Sequence, residues 1–125
     1  MEFDRFTVCV LLRRSDAPVL GGEEANALQD AHLAHLARLH EEGHLLAAGP
    51  FLEDPIPSVR GLSIFRGSPE EVRRHADADP LVRAGYLENQ LHLWMVPKGA
   101  VRFFPGKFPR SSREAEGGPG GPGSP

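Results

Sequence analysis

The histidines of this chain concentrate in one stretch, which is the first place to look for chemistry. Four of the six lie between residues 31 and 50. An imidazole changes charge near neutral pH, so it suits proton transfer and metal binding. On an α-helix each residue turns by about 100°, so His32 and His35 share one narrow face. Leu28 and Leu39 lie on the same face. Both imidazoles are therefore expected to point inward, where each needs a partner.

The spacing of His32 and His35 also has to be weighed as a metal site. Two helical histidines three residues apart can bind a metal, but a site needs a third ligand. The nearby acidic side chains point elsewhere on the helix: Asp30, Glu41 and Glu42. We therefore expect no metal, and we expect His35 to act as a second pocket histidine that shuttles a proton or binds a substrate oxygen. His40 and His44, near the end of the helix, are expected in solvent.

The elements that must position these side chains can be read from periodicity and turn signals. Ser68-Pro69-Glu70-Glu71 is a helix-start signature, with a cap, a proline and an acidic N3 residue. Asp79-Pro80 starts a further short turn of helix. The predicted strands are 6–12, 45–51, 61–66 and 86–96, and the predicted helices are 23–42, 69–78 and 80–84.

This β-α-β-β-α-β order predicts an α+β fold of the ferredoxin-like type, an antiparallel four-stranded sheet with two helices on one face. The other face of the sheet would be bare. Alternation in the third strand puts Phe65 opposite to Leu62 and Ile64, and we expect Phe65 and Trp94 on the bare face. Such a face is too apolar for solvent, which predicts a homodimer.

Composition sets the outer limits. The 125 residues are 40% hydrophobic, which predicts one domain over residues 1–98, an arm over 99–110 with Val101, Phe103, Phe104 and Phe108, and a disordered Gly/Pro-rich tail over 111–125. The arm is expected to pack on a dimer mate, to cover a pocket, or to lie on its own surface.

A formal net charge of −3 argues against nucleic acid as a partner. No apolar run approaches the ~20 residues of a membrane span, and a signal peptide is not evident. A cytoplasmic protein with one buried cysteine, Cys9, is expected.

The chain also resembles the YCII-related family, in the dimeric α+β barrel superfamily, over roughly residues 6–97. The resemblance implies a homodimer of ferredoxin-like subunits and a pocket between sheet and helices, which holds a histidine and an aspartate proposed as catalytic. By motif position these are His32 and Asp79. His35 departs from the family, because an aromatic residue such as tyrosine is expected there. The resembling segments are 31–33, 43–51, 61–64, 68–71 and 79–85.

Each of these two residues has a structural alternative. His32 acts as a general acid or base, or it is a core histidine bonded to a backbone carbonyl. Asp79 orients His32, or it caps the short helix that Pro80 begins. The two roles of Asp79 are compatible because a carboxylate has two oxygens.

The leading functional hypothesis is a cofactor-independent lyase, isomerase or cyclase for a small cyclic or polyketide-like metabolite. Nucleotide, nicotinamide, acyl-serine and structural-zinc motifs are absent from the sequence, so no cofactor is expected. The alternative is a non-catalytic module that binds a small ligand or a partner. Pocket walls are expected from Pro50, Phe51 and Tyr86, and an anion-binding role from Arg83, with Arg60 and Arg66 as further candidates.

Overall fold

The computed structural model describes residues 1–53 and 55–117. Every predicted helix and strand is present, and only the boundaries shift by a few residues. One helix, the last, was not expected. In chain order the elements are β1 (Phe3–Arg13), α1 (Gly22–Glu41), β2 (Leu45–Pro50), β3 (Val59–Phe65), α2 (Pro69–Asp77), α3 (Pro80–Arg83), β4 (Leu87–Pro97) and α4 (Ser112–Glu116).

The four strands form one sheet in the order β2-β3-β1-β4, and every neighbouring pair is antiparallel. This order confirms the predicted ferredoxin-like fold. The apolar, β-branched strand β1 lies in the centre, where it pairs with β3 on one side and with β4 on the other. The helices cover one face of the sheet, so α1 lies across the strands that carry the candidate pocket residues.

The core lies between that sheet face and the helices. Thr7 and Cys9 project from β1 into it, and Phe65 from β3 is 2% exposed. Phe65 is thus not on the bare face, and that part of the prediction was wrong. The alternation of β3 was correct, but Gly61, Ser63 and Phe65 form its buried side. The apolar core residues clustered here are Cys9, Leu39, Leu45, Phe65, Val72 and Ala76.

Strand β3 contains an irregularity next to the candidate pocket. The pairing of β1 with β3 shifts register between Leu11 and Leu12, because Leu11 faces Gly61 while Leu12 faces Val59. Arg60 is the extra residue between them, as in a β-bulge. A bulge lets two consecutive side chains approach the same sheet face and re-aims the extra one.

The C-terminal arm begins at the sheet face opposite the helices, at Phe103, and then crosses to the helical side, where α4 lies. Phe103 packs edge-on against Phe6, and α4 is held to α1 where the Ser112 amide donates to Asp30 Oδ1 at 2.8 Å. Arg110 also forms an ion pair with Glu41. Residues 112–116 are therefore helical rather than disordered, because Ser111 caps them and Asp30 accepts their first amide. The predicted disorder otherwise falls on residues 118–125, which lie outside the described residues.

Within residues 1–53 and 55–117, no helix has both the length and the hydropathy needed to span a membrane.

Candidate active site

His32 and Asp79 meet in the interior. His32 projects from the middle of α1 and is 8% exposed, while Asp79 precedes α3 and is 3% exposed. The distance from His32 Nδ1 to Asp79 Oδ2 is 2.5 Å. An ionised carboxylate only accepts hydrogen bonds, so Nδ1 carries the proton and donates it. This fixes the imidazole in the tautomer that leaves Nε2 as an acceptor.

Asp79 also caps α3. Its Oδ1 accepts from the Leu81 amide at 2.9 Å, and Pro80 occupies the first turn of that helix. Each carboxylate oxygen thus has one task, one on the histidine and one on the helix. The cap fixes the aspartate, and the aspartate fixes His32.

The free nitrogen of His32 opens into a cavity. Nε2 makes no hydrogen bond with any described residue, and within that part of the chain every buried side-chain nitrogen or oxygen has a partner. Nε2 is consequently accessible, and His32 is one of the cavity-lining residues. The alternative in which His32 bonds a backbone carbonyl is not what the structure has.

The cavity has a volume of about 530 Å³ and lies between α1, the sheet and the C-terminal arm. Small-molecule pockets generally fall between about 300 and 1,000 Å³. Most of the lining is apolar, and the polar side chains are few. The lining residues are Leu11, Gln29, His32, Leu33, Leu36, Ala48, Gly49, Pro50, Arg60, Gly61, Leu62, Ser63, Leu81, Tyr86, Leu87, Phe108, Pro109, Ser112, Ala115 and Glu116.

Two of the four predicted substrate-binding residues line the cavity and two do not. Pro50 and Tyr86 lie on its surface, and the Tyr86 ring is covered on one side by the Arg13 guanidinium, 5.5 Å from the ring centre. Phe51 lies one residue past the end of β2 and is 40% exposed. Arg83 is exposed at the end of α3 and is absent from the cavity wall.

His35 is buried but is not in the cavity. Its Nε2 donates to the His75 carbonyl at 2.8 Å, and its Nδ1 accepts from Arg38 Nη2 at 2.9 Å. Both ring nitrogens are therefore occupied: Nδ1 bonds within α1, and the Nε2 bond holds α1 against the end of α2. The structure gives His35 the role of a satisfied core histidine, so the expectation of a second pocket histidine does not hold. Among the described residues, no three His, Cys, Asp or Glu side chains could hold a metal ion together.

Cys9 offers no competing nucleophile. Burial raises the pKa of its thiol to about 12, and Sγ donates to Asn89 Oδ1 at 3.2 Å. A thiol in this state is inert at neutral pH.

The arm supplies part of the site that the spacing of residues did not reveal. Phe108 and Pro109 close one side of the cavity, and Phe108 stacks on His40 with ring centres 4.1 Å apart. His40 is not in solvent as expected. Its Nδ1 donates to the Leu45 carbonyl at 2.7 Å and its Nε2 accepts from the Gly106 amide at 2.9 Å. The apolar cluster of the arm was the available signal, and covering a pocket was one of its three predicted roles.

The fold and the site together define an α+β protein of the ferredoxin-like type with a buried His-Asp pair at the wall of a cavity. The chain belongs to the YCII-related domain family, whose model matches residues 7–91. This confirms the resemblance. The match ends before the arm, so the arm residues of the cavity lie outside it.

The chain is similar to two curated proteins. Protein YciI from Escherichia coli O6:H1 (strain CFT073) is 39% identical, and the match covers 54% of this chain and 76% of that protein. Protein YciI from Shigella flexneri has the same identity and the same coverage.

Among solved structures, the chain is similar to 5-chloro-2-hydroxyhydroquinone dehydrochlorinase (TftG) from Burkholderia phenoliruptrix AC1100, in complex with 2,5-dihydroxybenzoquinone. The TM-score is 0.51 at 21% identity, and the match covers 71% of this chain and 92% of that chain. At this identity the likeness shows the fold alone, and it agrees with the ferredoxin-like topology of the sheet.

Proposed function

We propose that this protein is a cofactor-independent lyase, isomerase or cyclase that moves a proton on a small cyclic or polyketide-like metabolite. The observation that carries the proposal is the His32 imidazole, whose Nδ1 is held by Asp79 while its Nε2 faces the cavity. This is the arrangement of a general base oriented by a carboxylate.

The chemistry follows from the geometry. Nε2 takes a proton from a carbon next to a carbonyl, and the electron pair left behind forms an enolate. The imidazolium that results is stabilised by the Asp79 carboxylate. Return of the proton from the imidazolium to another atom completes an isomerisation. Loss of a leaving group from the neighbouring carbon, protonated by the imidazolium, completes an elimination. Attack of the enolate on a second carbonyl, followed by proton transfer from the imidazolium to the alkoxide that forms, completes a cyclisation.

A ring-shaped substrate suits the walls of the cavity. Tyr86, Phe108 and Leu36 present flat or apolar surfaces, and the volume of about 530 Å³ accommodates a substituted ring. The structural neighbour TftG was solved with a dihydroxybenzoquinone, so one protein of this fold holds a six-membered ring. The proposal extends this substrate class, not this substrate, to the present chain.

Turnover of a panel of ring ketones, quinones and quinols tests the proposal. We expect the wild-type protein to convert at least one of them and H32A, with fold retained by circular dichroism, to lose that activity. Activity that H32A retains would remove His32 from the mechanism.

The second candidate is a non-catalytic ligand-binding module, which a cavity of this size also permits. The binding module differs from the enzyme in the result expected from the same panel: ring compounds bind to the protein, but none is converted. His32 bonded to a backbone carbonyl would have favoured it, and the hydrogen bond to Asp79 is what places it second.

We also propose that the protein is a homodimer that pairs through the uncovered face of its sheet. Phe6 and Trp94 lie on that face with ring centres 6.2 Å apart, and Trp94 is 38% exposed. Apolar side chains in such a cluster favour a second copy.

A further inference from the structure

The bulge in β3 sets Arg60 apart from the other arginines of the chain. Regular alternation would put Arg60 on the opposite face from Gly61. Arg60 lies between the pairs Leu11–Gly61 and Leu12–Val59 and has no partner of its own on β1, so the alternation is interrupted at this residue. Leu11 lies on the cavity wall. Arg60 lines the cavity, although regular alternation of the strand would point its side chain away from the cavity.

The guanidinium of Arg60 has no acidic partner among the described residues. Its one contact there is a long hydrogen bond from Nη1 to the Pro57 carbonyl, at 3.5 Å. Arg60 is an exposed residue, so most of the five donors of its guanidinium face solvent and are left for a ligand. The strand keeps its backbone fixed, because the Arg60 carbonyl accepts from the Phe51 amide at 2.9 Å.

Besides Arg60, the charged side chain of the described cavity wall is Glu116, and the Arg13 guanidinium lies outside the wall against the Tyr86 ring. Glu116 lies on the α4 side, and Asp79 lies behind His32. The remaining polar side chains of the wall are neutral: Gln29, Ser63, Tyr86 and Ser112. These neutral side chains can form hydrogen bonds with an uncharged ring. An anionic ring also needs a cation that offsets its repulsion by the carboxylates of Glu116 and Asp79. Arg60 is the cation that the wall provides.

We propose that Arg60 is a specificity-determining residue that binds a carboxylate on the substrate ring and so selects an anionic cyclic acid. This inference rests on the proposed function, because the bound ring is a substrate only if the protein is an enzyme. The preference for an anionic ring does not depend on catalysis. Two parallel N–H donors of a guanidinium match the two oxygens of a carboxylate. The ring then lies between Arg60 and His32.

The test uses two ring probes that differ in charge, benzoate and benzamide, with the full-length protein and isothermal titration. The wild type should bind benzoate more tightly than benzamide. R60M should lose about tenfold or more of its benzoate affinity and keep its benzamide affinity. R60K keeps the positive charge but loses the planar guanidinium, so its benzoate affinity should lie between those of the wild type and R60M.

Arg66 provides the matched control, because it is exposed as Arg60 is, but it lies just past the end of β3 and does not line the cavity. R66M should bind both probes as the wild type does. The proposal is overturned if the wild type shows no preference for benzoate, if R60M binds benzoate unchanged, or if R60M loses both probes equally.

The outcome is separable from that of the proposed function. If H32A loses turnover while R60M binds benzoate normally, only the role of Arg60 fails. If benzoate binding depends on Arg60 but no ring compound is converted, the anion site stands and the catalytic proposal fails.

Discussion

The carboxylate of Asp79 connects the backbone of α3 to the imidazole of His32. Because one oxygen caps the helix and the other accepts from Nδ1, neither role can change without affecting the other. The geometry therefore explains how a residue that looks like a helix cap in the sequence also orients the imidazole that we propose as catalytic. It also allows the two roles to be separated by substitution.

The variant D79N should retain the helix cap and switch His32 to the other tautomer. If the amide oxygen accepts from Leu81, the amide nitrogen must donate to His32 Nδ1, which forces the proton onto Nε2. We expect stability within about 1 kcal/mol of wild type but no proton acceptance at Nε2. Nitrogen-15 spectra of the histidine rings report the tautomer directly.

D79A is the comparison for this experiment. It removes the cap and leaves a buried N–H unpaired, so it should lower the free energy of unfolding by about 2 kcal/mol or more. A D79N protein that keeps the wild-type tautomer would contradict the proposed hydrogen bond.

For individual residues, the sequence indicated that His32 points inward, but it did not indicate which groups surround His32. Helical periodicity correctly placed His32 and His35 inward, but periodicity cannot say which inward side chain meets a cavity. That depends on the His75 carbonyl and on Arg38, which satisfy His35 and leave His32 open. Asp79 was reachable only through the family resemblance, because Asp-Pro alone predicts a cap.

Among the elements, the end of α2 carries a pH-sensitive contact. His75 stacks on His44 with ring centres 4.1 Å apart. Burial holds the pKa of His75 below its ordinary value of 6.5, and the nearby His44 and Arg74 side chains lower this pKa further. The unfolded chain therefore binds this proton first as the pH falls. The stabilisation is present above pH 6.5 and is lost below it.

We expect the free energy of unfolding of the wild type to fall between about pH 7 and 5, and the fall to be smaller in H75F. Phenylalanine keeps a ring on His44 but cannot titrate. Urea unfolding at several pH values measures this, with H92Q on the exposed strand β4 as control. Parallel pH profiles for the wild type and H75F would contradict the assignment.

The arm is the second element with a testable role, because Phe108 both lines the cavity and stacks on His40. F108A should loosen the arm, so hydrogen exchange at the Gly106 amide should rise by about tenfold. Phe104 in the same arm is 78% exposed, and F104A should leave that exchange unchanged. Equal exchange in F108A and wild type would mean that the arm is held elsewhere.

Elements were predictable where periodicity and capping act locally, as in α1 and in the Ser68-Pro69 start of α2. The bulge at Arg60 was not, since nothing in the residues of β3 signals an extra residue; the shift exists only relative to β1. Helix α4 has a local start signal, because Ser111 caps it and accepts from the Glu114 amide, but its first amide is satisfied by Asp30, which is distant in the sequence.

For the whole molecule, the order of elements was enough to predict the sheet and the uncovered face. Whether that face is covered by a second copy is a property of the assembly. W94E introduces a charge into the apolar cluster of this face and should convert the proposed dimer into a monomer of 13.6 kDa, measured by light scattering after gel filtration. L52E, at an apolar position that is 85% exposed just after β2, should remain dimeric. A wild type that is monomeric would contradict the proposed pairing.

The most direct test of the proposed chemistry is deuterium uptake from D2O into the carbon positions of the ring panel. Wild type and H92Q should exchange at least one ring compound at equal rates, and H32Q should be slower by about a hundredfold or more, the usual contribution of a general base. Mass spectrometry measures the uptake. An H32Q rate within twofold of the wild type, or a wild type no faster than buffer, would contradict proton transfer by His32.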